Sequence, residues 1–209
     1  MFIINLAWVS IVFPTRSADL FFEDFSRSKA GGIPPRLLVL GGDFAVKSVG
    51  KERFIELAGE PVGLHSVMFG PAKKDGVAVM ARVRGTRKGR RLFPVFGVGL
   101  NGVSGYRLMV SQAKRKLELL KGDAIVRAVP FEWKPDRWTQ LRLECRRVGG
   151  GWKLSAKVWA DGEKEPAKWL LEWEEKNPPL AGRATVWGVP FSGTPIRFDD
   201  LKVVLLGQD

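Results

Sequence analysis

The sequence predicts an all-β protein, a two-sheet antiparallel sandwich of about 12 to 15 short strands. Three observations carry that expectation. Apolar and polar residues alternate with a period of two along most of the 209 residues, as in strands with one buried face. The alternating runs are divided by turn chemistry, among them AGEP, GPAKKDG, RGTRKG, NGVSG, KPD, GGG, ADGEKEP and KNPP. Helical periodicity is scarce. Its nearest approach, SQAKRKLELLKG, reads better as a hairpin ending in the turn Lys121-Gly122-Asp123.

The expected strands follow in order. The first are Asp19–Asp24, Asp43–Val49, Arg53–Leu57 and Leu64–Phe69. Next come Gly76–Arg84, Phe93–Leu100, Tyr106–Ser111, Lys116–Leu120 and Ala124–Val129. The last are Thr139–Val148, Trp152–Ala160, Ala167–Glu174, Gly182–Val189 and Ile196–Leu205. Strands at this spacing suit a sandwich or a barrel, and no linker, repeat or low-complexity segment divides the chain. One domain, residues 19–209, is expected behind a leader, residues 1–18.

That leader, MFIINLAWVSIVFPTRSA, carries an apolar run of about thirteen residues, too short for a membrane span. It has the h-region and small residues of a signal peptide but lacks a basic residue ahead of the run. Export to the cell envelope or beyond is the expectation. Cys145 is the only cysteine and His65 the only histidine, so neither an internal disulfide nor a zinc centre can be built. Cys145 shares parity with Leu141 and Leu143 and belongs in the core. His65, in an apolar run, reads as structural. No phosphate-cradling glycine loop, serine elbow or dinucleotide fingerprint is present.

The formal charge is +12, from 34 basic and 22 acidic residues. Its densest block, RVRGTRKGRR (Arg82 to Arg91), lies between two strands and reads as a solvated hairpin loop. No nucleic-acid-binding pattern accompanies it, so nucleic acid is not the expected partner. The block would equally suit an acidic polymer.

Strand parity selects the residues that leave the core. In GWKLSAKVWAD, Leu154, Ala156 and Val158 face one way and Lys153, Ser155, Lys157 and Trp159 the other. In GRATVWG, Ala184 and Val186 oppose Arg183, Thr185 and Trp187. Trp169, Leu171 and Trp173 share parity and read as core. Exposed tryptophans stack on the apolar faces of sugar rings, so Trp159 and Trp187 are candidate carbohydrate platforms, with Arg82, Arg142 and Tyr106 as neighbours. In IRFDDLKV, Phe198 and Leu201 are both apolar at opposite parity. Both can face inward only if a β-bulge absorbs a residue at Asp199–Asp200.

The segments LFFEDFS, GVGLNGVSGYRLMVSQAKRKLELLKG, WKPDRWTQLRLE, KVWADGEKEPAKW and AGRATVWGVPFSGTPIRFDDLKV, in this order, resemble the concanavalin A-like jelly rolls. The nearest branches are the laminin G-like and 3-keto-disaccharide-hydrolase-like proteins of exported bacterial proteomes. The resemblance spans about Asp19 to Val204. It implies that the first and last strands lie side by side, so the two acidic pairs meet. Related laminarinase-type hydrolases often hold a structural calcium there, which implies a calcium shell from Glu23 or Asp24 with Asp199 or Asp200. No other cofactor is expected.

Enzymatic activity is weakly supported by the residues. The Glu-x-Asp-x-x-Glu spacing of laminarinase-type hydrolases is absent. The acidic groups Glu172, Glu174 and Glu175, and Asp161, Glu163 and Glu165, lack it. The second set reads as a solvated hairpin tip. The keto-sugar branch's N-S-G-I strand is also missing. The expected function is a non-catalytic, lectin-like carbohydrate-binding module with a glycan partner. The alternatives are a glycoside hydrolase of the 3-keto-disaccharide type and an envelope domain contacting acidic polymers through the basic loop.

Overall fold

The computed structural model describes residues 18–207, and the expected leader lies outside them apart from Ala18. The strands in chain order are β1 (Ala18–Glu23), β2 (Leu38–Val39), β3 (Phe44–Val49), β4 (Glu52–Leu57) and β5 (His65–Lys73). Then come β6 (Val77–Gly85), β7 (Val95–Leu100), β8 (Tyr106–Ser111), β9 (Lys116–Lys121) and β10 (Ala124–Pro130). The last are β11 (Thr139–Val148), β12 (Gly151–Ala160), β13 (Leu171–Glu175), β14 (Gly182–Val189) and β15 (Ile196–Leu205). One sheet runs β13-β12-β11-β6-β15-β4-β3 with β1 added on β15, and the other β10-β9-β8-β7-β14-β5-β2. Every pairing between these strands is antiparallel. This is a concanavalin A-like jelly-roll sandwich.

The alternation read from the sequence is what closes the two sheets on each other. Val79, Ala81 and Val83 of β6 face Phe96 and Val98 of β7 and Leu108 and Val110 of β8, all fully buried. Phe25, Phe69 and Phe198 fill the space between the sheets. Burying each such side chain contributes on the order of 1.5–3 kcal/mol. Cys145 lies in this core, and burial pushes its thiol pKa up to about 12, with the nearby Asp75, Glu144 and Glu175 charges adding to it.

β15 carries the bulge that the parity of IRFDDLKV requires. Asp199 pairs with Arg82 and Lys202 with Met80, so one residue is extra between them. Asp200 absorbs it with φ of +50°, and Phe198 and Leu201 both point into the core. The bulge also divides the far edge of β15. Ile196–Phe198 pair with β4, and Leu201–Leu205 pair with β1. First and last strands therefore lie side by side.

Four features differ from the sequence expectations. β2 is too short, at two residues, to show a periodicity. β13 begins at Leu171 and not at Ala167, because Asp161–Leu170 folds back over the outer face of the first sheet. Trp169 is consequently not core. Its indole lies over the outer face, 4.3 Å from Lys157 Nζ. The acidic hairpin tip is not simply solvated either. Asp161 pairs with Arg82, and Glu165 with Arg142 and Lys157.

Candidate functional site

An aromatic cleft opens at one end of the first sheet, where β11 begins and β12 ends. Gln140 is in register with Trp159, and Asp161 N–H donates to the Trp138 carbonyl, so Trp138 and Trp159 flank one opening. The incoming segment is fixed from both sides. Trp133 N–H donates to Gln112 Oε1 at 2.6 Å, and its indole N–H donates to Thr139 Oγ1 at 3.1 Å. Trp133 stacks edge-on against Phe96 at 5.1 Å, which makes it the buried floor. The resulting cleft of about 210 Å³ is lined by Phe131, Trp133, Trp138, Trp159, Arg137 and Glu163, with further polar side chains at its mouth. Two half-exposed indoles beside a guanidinium and a carboxylate can stack an apolar ring face while bonding polar groups on its rim.

Arg82 sets one wall of that cleft from behind. Its guanidinium lies 4.6 Å from the Trp138 ring centre, and Phe54 meets the same indole edge-on at 6.0 Å. Four carboxylates hold the guanidinium: Asp199 at 2.6 Å, Glu52 at 2.9 Å, Asp200 at 3.1 Å and Asp161 at 3.3 Å. Asp199 is 2% exposed. Burial pushes its pKa up to about 7, although Arg82 and the Asp200 N–H pull it down. Asp200 is also raised, by burial first and then by Asp161, Asp24 and Glu52, against the opposing pull of Arg82.

The five candidate sugar contacts do not converge on one surface. Trp159 lines the cleft. Arg82 lies behind it in the ion network. Trp187 points out of the second sheet, as parity requires, yet is 3% exposed. It lies against Gly99, its indole N–H donates to Thr185 Oγ1, and Arg107 covers it at 4.8 Å. Tyr106 faces the core at 1% exposure and donates its hydroxyl to Glu175, which also accepts from Lys121. Burial and Glu175 raise the Tyr106 pKa. Burial pushes Glu175 up, but Lys121, Asn177 N–H and Tyr106 together bring it below its usual value. Arg142 is held by Glu144 and Glu165.

The cleft residues that sequence reasoning missed are Trp138, Phe131 and Arg137, while Glu163 figures there only as part of the acidic hairpin tip. Only Trp138 carried a signal, an aromatic one residue before a strand opposite Arg82. The other candidate groups do not line the cleft. His65 Nε2 lies 3.0 Å from the Pro61 carbonyl, Glu172 pairs with Lys153, and Glu174 is exposed.

The four carboxylates expected around calcium already have partners. Glu23 accepts from Phe25 N–H and Arg36, Asp24 from Ser26, Asp199 from Arg82 and Asp200 N–H, and Asp200 pairs with Arg82. Asp24 and Asp200 are close enough to raise the Asp200 pKa, and so supply part of a shell only. Among the described residues no group of three or more His, Cys, Asp or Glu is placed to hold a metal ion. Among them, too, no helix is long and apolar enough to cross a membrane.

No family model matches the chain, and no curated protein matches it by sequence. Solved structures do match its fold. The carbohydrate binding module CBM66 from Bacillus subtilis superposes with a TM-score of 0.56 at 11% identity, covering 80% of this chain and 94% of that one. The Emp47p carbohydrate recognition domain gives 0.55 at 12% identity, covering 90% and 95%. A glycoside hydrolase family 131 catalytic domain from Coprinopsis cinerea gives 0.54 at 8% identity, covering 88% and 93%.

Proposed function

We propose that this chain is a non-catalytic, exported carbohydrate-binding module whose glycan seats in the Trp138–Trp159 cleft. The observation that carries the reading is the pairing of two half-exposed indoles over a packed tryptophan floor, with Arg137 and Glu163 at hand. Binding domains such as CBM66 and the Emp47p recognition domain share the fold and support it, but the cleft itself is the argument. Stacking on an indole is apolar in origin, so it is insensitive to salt, unlike contacts between surface charges.

The test is affinity electrophoresis of the full chain through gels containing neutral or acidic polysaccharides, at low and high salt. Retardation by a neutral glycan should survive high salt. Trp159→Ala should weaken it by about tenfold or more, the equivalent of ~1.4 kcal/mol. Migration unchanged in every gel would discard the reading, and salt-sensitive retardation that ignores Trp159→Ala would move it to the basic loop.

A structural calcium is a separate proposal, placed at Asp24 and Asp200. Calcium should raise the melting temperature of the wild type and leave Asp200→Asn unmoved. An unchanged wild-type melting temperature sinks it.

A further inference from the structure

We propose that the end of the sandwich carrying residues 86–94 docks on an anionic lipid surface. This inference is independent of the glycan reading. On the outer face of the first sheet several cations are paired: Arg197 with Glu56, Arg82 with four carboxylates, Arg142 and Arg146 with Glu144, and Lys157 with Glu165, while among the described residues Arg84 and Lys47 there have no ion pair. The 86–94 hairpin concentrates such cations, four within the five residues from Arg87 to Arg91. Arg87, Lys88, Arg90 and Arg91 are all exposed, and among the described residues none of the four has an ion pair. The tip is held in shape. Lys88 and Leu92 exchange backbone hydrogen bonds of 2.9 and 3.4 Å, and Gly89 turns the chain at φ of +60°. A preformed loop loses little freedom on binding.

Exposed large apolar side chains lie on this hairpin and on the two loops tied to it. Leu92 is 51% exposed and Phe191 53%. They are neighbours by topology, because Val189 pairs with Val95 and the two chains leave the ladder together toward Phe191 and Phe93. Thr194 Oγ1 donates to the Thr86 carbonyl at 2.8 Å, tying the 190–195 loop to the base of the hairpin. On its other side Gly59 packs so closely on Gly193 that a Cβ would lie 2.6 Å from the Gly193 carbonyl oxygen. That contact brings in the 58–64 loop, with Val62 55% and Leu64 47% exposed.

Cations alone would suit any polyanion. Unpaired cations at the same end as exposed Leu, Phe and Val suit a surface with anionic headgroups over a hydrocarbon layer, where charge attracts and apolar side chains bury. A soluble acidic polymer gives those apolar groups nothing to bury against. The observations therefore favour the bilayer.

The experiment is cosedimentation of the full chain with phosphatidylcholine vesicles, with and without phosphatidylglycerol, alongside soluble heparin as a polyanion lacking lipid. The apolar run at residues 1–13 is common to every variant, so differences report the tip. Binding should favour the phosphatidylglycerol vesicles by about tenfold or more and fall with salt. Combined Arg87→Ala, Lys88→Ala, Arg90→Ala and Arg91→Ala should cut it by about a thousandfold. Leu92→Ser with Phe191→Ser should weaken vesicle binding several-fold and leave heparin untouched. All six side chains are exposed, and unchanged tryptophan fluorescence confirms that the variants fold. Equal binding to both vesicle types, or no binding, overturns the proposal. So does vesicle binding indifferent to the Leu92 and Phe191 changes, which would identify a soluble acidic polymer as the partner.

Discussion

Replacing Arg82 with methionine should destabilise the fold by about 3–5 kcal/mol at pH 8, the range for removing one partner of a buried charge cluster. The side chain has 18% exposure and faces four carboxylates. Glu52, Asp161 and Asp200 retain roughly a third of their surface and can rehydrate once the guanidinium is gone. Asp199, 3% exposed at its side chain, cannot. Most of the loss should therefore come from one stranded carboxylate, with a smaller part from Trp138, which loses the cation stacked on its face.

The pH dependence distinguishes this account from simple loss of packing. Burial raises the Asp199 pKa to about 7 in the folded protein, from an ordinary value of 3.8. The folded state thus binds this proton more tightly than the unfolded state. The stability contributed by the protonated group declines as pH rises from about 4 to about 7. Without Arg82 to pull the pKa down, the decline extends to higher pH. Arg82→Met should accordingly cost less at pH 5, where Asp199 is protonated, than at pH 8. Asp199→Asn added to Arg82→Met should restore much of the loss at pH 8. Urea unfolding followed by tryptophan fluorescence reads all three. An equal loss at both pH values would assign the effect to packing.

The sandwich was legible because its signal is local. Alternation places Leu141, Leu143 and Cys145 inside without knowing their partners, and Phe198 and Leu201 force the bulge from eight residues of sequence. The candidate site was less legible because it depends on which strands meet. Asp161 and Glu165 look solvated in ADGEKEP, and only the return of that loop over β6, β11 and β12 brings them to Arg82, Arg142 and Lys157. Tyr106 opens β8 beside a glycine-rich turn, but its partner Glu175 is 69 residues away. Trp159 was found by parity and Trp138 was not, since it precedes its strand and has no parity to read. Trp187 shows the limit of alternation. Its outward direction was correct, while its burial under Arg107 follows from the neighbouring strand.

That burial had a signal in GVGL. Glycines at alternate positions of a strand mark a face where something approaches the backbone closely. Gly97 and Gly99 of β7 both lie on the outer side of the second sheet. A Cβ at Gly99 would collide with Thr185 Oγ1 and come within 2.9 Å of Trp187 Nε1. One at Gly97 would run into the Leu108 carbonyl oxygen of β8 and reach Met109 Sδ at 2.7 Å. The first contact at Gly97 is decisive, because it is backbone and cannot swing aside. Gly97→Ala can be accommodated only by parting β7 from β8, which are paired from Val95–Ser111 to Leu100–Tyr106 in the middle of the sheet. The expected loss is about 3 kcal/mol or more, at the upper end for overpacking. Gly150→Ala is the control: a Cβ there meets nothing within 4 Å, so its effect should stay within about 0.5 kcal/mol. Denaturant midpoints compare the two directly. Similar midpoints would mean that β7 and β8 can separate at little cost.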